Sequence, residues 1–290
     1  MRGKEQPLFL AIRKNYFNAY VEGQSVLKIG LDEQSTPNQL RAGIHQKYVH
    51  RDQAYLTFDR KQIVGKPYVG KASVDEWVKR AQTYVKNKKN TKEMSEKQGV
   101  AVIVGRNPHI IDVEMALPAD KPNVSENRPS ADRIDMVALE KDGEAFKIVF
   151  YEAKLFSNHP ALRADNPEPK VLKQLKGYED WMRSRTDEII PAYHRACDRL
   201  IRLHAMRDTK TDLHAPSVHP FVLQAAKEGS NMQVDPKPRI IIFGYSAEDI
   251  GCDSSWVKNK HEEKLRSKYE LLMSERPEGI TPVGIRRNRV

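Results

Sequence analysis

Along the first ninety or so residues, short apolar segments alternate with polar turns. Phe17 to Val21 and Ser25 to Ile29 flank Glu22-Gly23-Gln24, which predicts a β-hairpin. Ser35-Thr36-Pro37 opens a segment from Asn38 to Tyr48, and Ala54 to Phe58 returns as a strand. Gly65, Pro67 and Gly70 punctuate the next stretch. Ser73-Val74-Asp75-Glu76 then has the form of a capping box ahead of a helix with Trp77, Ala81, Tyr84 and Val85 on one side. The run from Lys86 to Lys97 reads as a solvated basic linker, so residues 1–95 form an N-terminal α/β accessory region.

From Gly99 the pattern becomes strand-rich. Val100 to Val104, Ile110 to Leu117, Arg133 to Leu139 and Phe146 to Leu155 are four successive strand candidates, the last two joined by a turn at Asp142-Gly143. After the Pro-containing loop Asn158 to Pro169, the spacing of Val171, Leu172, Leu175, Tyr178, Trp181 and Met182 predicts a helix over 170–185. A second helix is expected from Pro191, suited to a first turn, to about Arg207. A polar stretch from Asp208 to Pro220 precedes a buried strand at Arg239 to Tyr245. The segment Ser254 to Met273 reads as a charged helix, and the end, through Arg286 to Arg289, as poorly ordered. The fold class expected is α/β: a mixed central sheet from residues 100–155 and 239–245 flanked by helices, within a core of residues 96–250, followed by a tail of residues 251–290. No internal repeat is evident.

Composition narrows the classes of function. The 290 residues carry 49 Lys and Arg against 39 Asp and Glu, a formal charge of +10, which suits an acidic partner. No apolar run reaches the length of a membrane span, and Leu8 to Ile12 is too short for a secretory segment, so a soluble cytoplasmic protein with no membrane partner is expected. Cys197 and Cys252 cannot build a disulfide framework or a four-ligand zinc site.

The segment with most chemical content is Arg133-Ile134-Asp135 followed by Glu152-Ala153-Lys154. A turn centred on Asp142-Gly143 pairs residues whose numbers sum to about 285, which sets Asp135 opposite Phe150. Residues two apart in a strand share a face, as do cross-strand partners, so Asp135, Glu152 and Lys154 converge on one side of the hairpin unless a bulge shifts the register. Strands ending in alternating charges are ordinarily solvent-facing, but Ile148, Val149, Phe150 and Tyr151 are apolar on both faces and mark a central strand. Two carboxylates held together repel unless a cation lies between them, and oxygen donors suit Mg²⁺ or Mn²⁺. Phosphodiester hydrolysis is the reaction such a site suits.

The following helix carries Gln174 and Tyr178, four apart and therefore on one face. Together, Asp135, Glu152-x-Lys154 and Gln174-xxx-Tyr178 resemble the PD-(D/E)XK nuclease superfamily, in particular its RecB-like branch, over residues 99–245. The resemblance implies a restriction-endonuclease-like core and a metal-dependent DNA nuclease. It implies that Asp135 and Glu152 hold Mg²⁺ or Mn²⁺ with the Ala153 carbonyl, that Lys154 supports the attacking water, and that Gln174 and Tyr178 position the site or the DNA. Arg133-Ile134 stand where the family name has its proline. For the additional acid common in the family, Glu114 is preferred over Glu76, being nearer in sequence to the core.

Other features carry less. His194, Cys197 and His204 fit an amphipathic helix better than a metal site, and His214 and His219 read as solvated loop residues. There is no Walker-type phosphate loop and no Gly-x-Ser-x-Gly elbow. Positive charge is spread over Lys86 to Lys97, Lys170 to Lys176, Lys258 to Lys268 and Arg286 to Arg289, and Lys170, Lys173 and Lys176 flank the candidate site as phosphate-neutralising groups. The reading is a divalent-metal-dependent DNA nuclease, an endonuclease in preference to an exonuclease, in prokaryotic defence or DNA processing and with room for a protein partner. The alternative is a nucleic-acid-binding or partner-recruiting protein without turnover, against which the intact Asp, Glu and Lys argue.

Overall fold

The computed structural model describes residues 8–14, 16–31, 40–44, 55–59, 62–64, 71–87, 94–117, 133–163, 168–206 and 218–282. The expectations for Ser35-Thr36-Pro37, His214 and Arg286 to Arg289 lie outside them. The chain divides into two units, Met1–Ala101 and Val102–Val290.

In the N-terminal unit, strands β1 (Phe9–Ile12), β2 (Tyr16–Val21), β3 (Gln24–Leu31), β4 (Leu40–Ile44), β5 (Tyr55–Asp59) and β6 (Gln62–Val64) form an antiparallel sheet in chain order. The predicted hairpin is β2–β3, turning at Glu22 and Gly23, both with positive φ. Helix α1 (Lys71–Asn87) packs Trp77 and Ala81 against Val21, Val26, Leu27 and Ile29. It begins two residues before Ser73, so the predicted capping box lies inside the helix rather than at its start.

Helix α2 (Glu96–Arg106) replaces the strand expected at Val100 to Val104 and takes up the end of the expected linker. Its start is a capping box at Ser95 and Gln98: the Gln98 N–H donates to Ser95 Oγ, and the Ser95 N–H donates to Gln98 Oε1. Buried Gly99, Val100, Ile103 and Asn107 recur at helical spacing, so this reciprocal cap and one buried stripe override the strand preference of a β-branched run.

The second sheet is mixed, in the order β12-β11-β9-β8-β7, from β7 (Ile110–Ala116), β8 (Arg133–Asp142), β9 (Ala145–Leu155), β11 (Arg239–Phe243) and β12 (Leu271–Ser274), with β10 (Met232–Val234) pairing the first half of β9. Strands β7, β8 and β9 are antiparallel, while β11 runs parallel to β9 and β12 parallel to β11. Between them lie α3 (His159–Leu162), α4 (Lys170–Ser184), α5 (Thr186–Ala205) and α6 (Pro220–Ala225), and the chain then forms α7 (Ser255–Lys258) and α8 (His261–Arg266). The architecture is therefore mixed α/β, a multi-strand sheet flanked by helices. Pro191 lies inside α5 rather than at its start, since Asp187 and Glu188 occupy the first turn. The helix expected over Ser254 to Met273 is two short helices followed by strand β12. Among the described residues no helix is long and apolar enough to cross a membrane.

Strand β9 is the centre of this unit. From Ala145 to Lys154 only Lys147 is more than marginally exposed, and neighbours on both sides satisfy its backbone. Such burial on both faces makes any charged side chain at its end conspicuous.

Candidate functional site

The β8–β9 turn is Gly143-Glu144, with Gly143 at φ +58 and Asp142 paired to Ala145. The register thus sums to 287, as in Met136↔Tyr151, two more than the sequence suggested. A shift of two preserves the face of every side chain, so the predicted convergence survives while Asp135 moves level with Glu152 instead of Phe150. One residue beyond the Met136↔Tyr151 pair, Asp135 Oδ2 accepts the Ala153 N–H at 2.8 Å.

Glu152 is 2% exposed and Lys154 8%, and Lys154 Nζ donates to Glu152 Oε1. The ammonium neutralises a carboxylate that burial alone would penalise heavily. On α4, Val171, Leu175, Tyr178 and Met182 are buried and seat the helix, with Tyr178 1% exposed. The Tyr178 hydroxyl lies 3.3 Å from Glu152 Oε2 and 2.8 Å from the Arg133 carbonyl oxygen, and Gln174 Nε2 donates to it. Five predicted side chains, Asp135, Glu152, Lys154, Gln174 and Tyr178, thus meet around the ends of β8 and β9.

Glu114 falls between the pairs Val113↔Met136 and Met115↔Ile134, which sets it level with Asp135. Its φ of +50 is a left-handed conformation that costs a non-glycine residue about 1–2 kcal/mol. Its Oε2 stands 3.6 Å from Arg133 Nη1. Glu76, the alternative acid, belongs to α1 in the N-terminal unit and pairs with Arg80. Lys170, Lys173 and Lys176 are exposed on α4. At about 100° per residue, Lys170 lies near the Gln174 side of the helix and Lys176 well round from Tyr178. Lys176 is engaged by Asp180, whose carboxylate holds the ammonium above its usual pKa.

Asp112 is a site-facing acid that the sequence pattern did not single out. Paired to Val137, it shares a face with Asp135 and is 3% exposed; its Oδ1 accepts the Val113 N–H at 2.7 Å and its Oδ2 the Tyr193 hydroxyl at 3.0 Å. An acid within Ile110-Ile111-Asp112-Val113 was the available signal. Burial pushes the Cys197 thiol up to about 12, and His194 Nε2 lies 3.1 Å from the Lys227 carbonyl oxygen.

The opposite face of the sheet carries a separate polar cluster. Arg239 Nη1 donates to both Glu140 oxygens at 2.8 Å and to the Tyr151 hydroxyl at 3.0 Å, and Arg239 Nε is 2.9 Å from Glu270. Tyr151 points away from Glu152 because consecutive strand residues alternate. Burial and the neighbouring Glu140 charge raise the Tyr151 phenol well above its usual value.

Among the described residues no group of three or more His, Cys, Asp or Glu side chains forms a ready metal cage. The donors near the strand ends are carboxylates and backbone carbonyls, which suit hard cations such as Mg²⁺ or Mn²⁺. Asp135 and Glu152, level on adjacent strands with a lysine beside them, fit such an ion as a two-carboxylate site completed by water and substrate oxygen. No protein-family model, curated protein or solved structure matches the chain.

Proposed function

We propose that the protein is a divalent-metal-dependent DNA nuclease with a restriction-endonuclease-like core. The observation that carries this reading is the side-chain hydrogen-bond chain Lys154–Glu152–Tyr178–Gln174, with Asp135 accepting the N–H of Ala153, the residue between Glu152 and Lys154. The order helix, three antiparallel strands, helices, parallel strand supports the core assignment.

Asp135, Glu152 and the Ala153 carbonyl would hold Mg²⁺ or Mn²⁺, with Glu114 as the nearest further acid. A cation so held supplies Lewis-acid activation of a phosphodiester and of water. Lys154, already beside Glu152, supplies a donor that can orient the attacking water and balance charge developing on phosphate. Tyr178 fixes the Glu152 carboxylate against the Arg133 carbonyl, and Gln174 fixes Tyr178, so both act by positioning. Lys170 provides positive charge for the DNA backbone near the Gln174 side of α4, with Lys173 about 100° further round the helix.

The test is incubation of the purified chain with linear and with covalently closed circular DNA in Mg²⁺ or Mn²⁺. Cleavage of both substrates identifies an endonuclease, and cleavage of the linear form alone an exonuclease. DNA binding by the folded protein without cleavage in either metal would instead favour a binding protein that keeps the cluster without turnover.

A further inference from the structure

The connection from β9 to α4 joins the two elements that carry the candidate site, and it holds an arginine on an aromatic platform. Arg163 closes α3, its backbone N–H donating to the His159 carbonyl. Its Cζ lies 4.1 Å from the centroid of the Phe156 ring and 5.0 Å from that of Trp256, and Nη1 donates to the Phe156 carbonyl at 2.6 Å. The platform is part of the core: Phe156 is 5% exposed and Trp256 1%, with their rings 4.9 Å apart. Arg163 itself is half-buried.

An arginine drawn this far out of water ordinarily meets a carboxylate. Among the described residues none stands within 4.0 Å of it, and Nε is buried without a hydrogen-bond partner. Asp249 is the acid whose charge it feels, but that carboxylate is exposed and accepts the Ser246 N–H at 2.8 Å and the Ser246 hydroxyl at 2.9 Å. The guanidinium is therefore partly desolvated, aimed by a backbone carbonyl and stacked on two rings, while no acid cancels its charge at contact distance. An anion from outside the chain is the natural counterpart, and a planar fork in fixed orientation suits phosphate.

Topology puts this fork beside the site. The Phe156 N–H donates to the Phe243 carbonyl at 2.8 Å, which continues the β9–β11 ladder past Leu155. Phe156 thus follows Lys154 by two positions, on the same face and about 7 Å further along. The Tyr269 hydroxyl, just after α8, lies 3.3 Å from Glu179 of α4. The segment that supplies Trp256 therefore packs on the α4 side of the sheet, the side from which Tyr178 reaches Glu152.

We infer that Arg163 grips the DNA phosphate next to the one held at Glu152 and Lys154, and so sets the position of the strand in the site. The choice of DNA as ligand rests on the nuclease reading, whereas the anion-binding fork rests on the geometry around Arg163.

The test is fluorescence anisotropy of the full-length protein with a labelled DNA duplex in EDTA across a salt series, beside cleavage kinetics in Mg²⁺ or Mn²⁺. Arg163→Gln should weaken binding about tenfold and lower the slope of log affinity against log salt by about 1. In cleavage it should raise KM more than it lowers kcat, because a phosphate that does not react is held in ground and transition states alike. Arg163→Lys should keep the salt slope and lose part of the affinity, since the charge stays while the fork and the stacking go. Asp249→Asn, on the exposed loop, should tighten binding about twofold, a gain that a folding defect cannot produce. Unchanged affinity and slope in a folded Arg163→Gln, or no gain from Asp249→Asn, would overturn the inference and leave the nuclease reading intact. A wild type that binds DNA and cuts nothing would sink the nuclease reading, while a slope lowered by about 1 in Arg163→Gln would still identify the phosphate contact.

Discussion

The Tyr178 hydroxyl is 3.3 Å from Glu152 Oε2 and 2.8 Å from the Arg133 carbonyl, so one phenol ties α4 to both strands that carry the candidate acids. Tyr178→Phe keeps the buried ring and removes these bonds together with the one the hydroxyl accepts from Gln174 Nε2. It is predicted to cost about 1–2 kcal/mol of stability. On the nuclease reading it should also lower cleavage about 10- to 100-fold, mainly through kcat or metal affinity. Urea unfolding and cleavage rates across a metal titration check the two parts, and an unchanged rate would remove Tyr178 from the site.

Lys154 is the charge partner of a carboxylate that is 2% exposed. Lys154→Met should destabilise the metal-free protein by about 3–5 kcal/mol, because Glu152 stays buried without its ammonium. Added Mn²⁺ should recover part of that loss, since an ion bound only by the folded state stabilises it by mass action. Melting curves with and without Mn²⁺ measure this, and an unmoved midpoint would speak against a cation at Asp135 and Glu152.

The Glu140–Arg239–Tyr151 cluster occupies the sheet face away from Glu152. Glu140→Ala should lower stability by about 3–5 kcal/mol by leaving Arg239 without its closest buried counter-charge. Under conditions where the variant is folded, the cleavage rate should stay at the wild-type value. A lost rate with intact folding would show that the two faces are coupled.

Burial holds the His109 imidazole below its ordinary value of 6.5, and burial and the nearby His109 do the same to His219. On acidification the unfolded chain therefore takes up protons before the folded one. The stability contribution is complete above pH 6.5 and falls as the pH drops from there toward the folded values. Urea midpoints between about pH 7.5 and pH 5 should fall for the wild type and flatten in His109→Gln.

Much of the candidate site is legible in the sequence because a β-hairpin has parity. The expected turn lies one residue early and the expected register is off by two, yet a slip of two leaves Asp135, Glu152 and Lys154 on one face. Gln174 and Tyr178 are legible for the parallel reason that i and i+4 share a helix face. Helix α2 is not, since its β-branched run favours a strand and the decisive Ser95–Gln98 cap sits in a stretch that reads as linker. Strand β12 is hidden because its pairing with β11 is a tertiary choice that short local patterns do not encode. Asp112 escapes the pattern because its hydroxyl partner, Tyr193, is 81 residues away in sequence.

Cleavage of supercoiled DNA by wild type, Asp135→Ala and Lys154→Ala, each first shown to be folded, in Mg²⁺, Mn²⁺ and EDTA tests the central claim most directly. The account predicts cutting by the wild type in at least one metal, none in EDTA, and loss in both variants. Cutting that persists in EDTA, or in a folded Asp135→Ala, would contradict it.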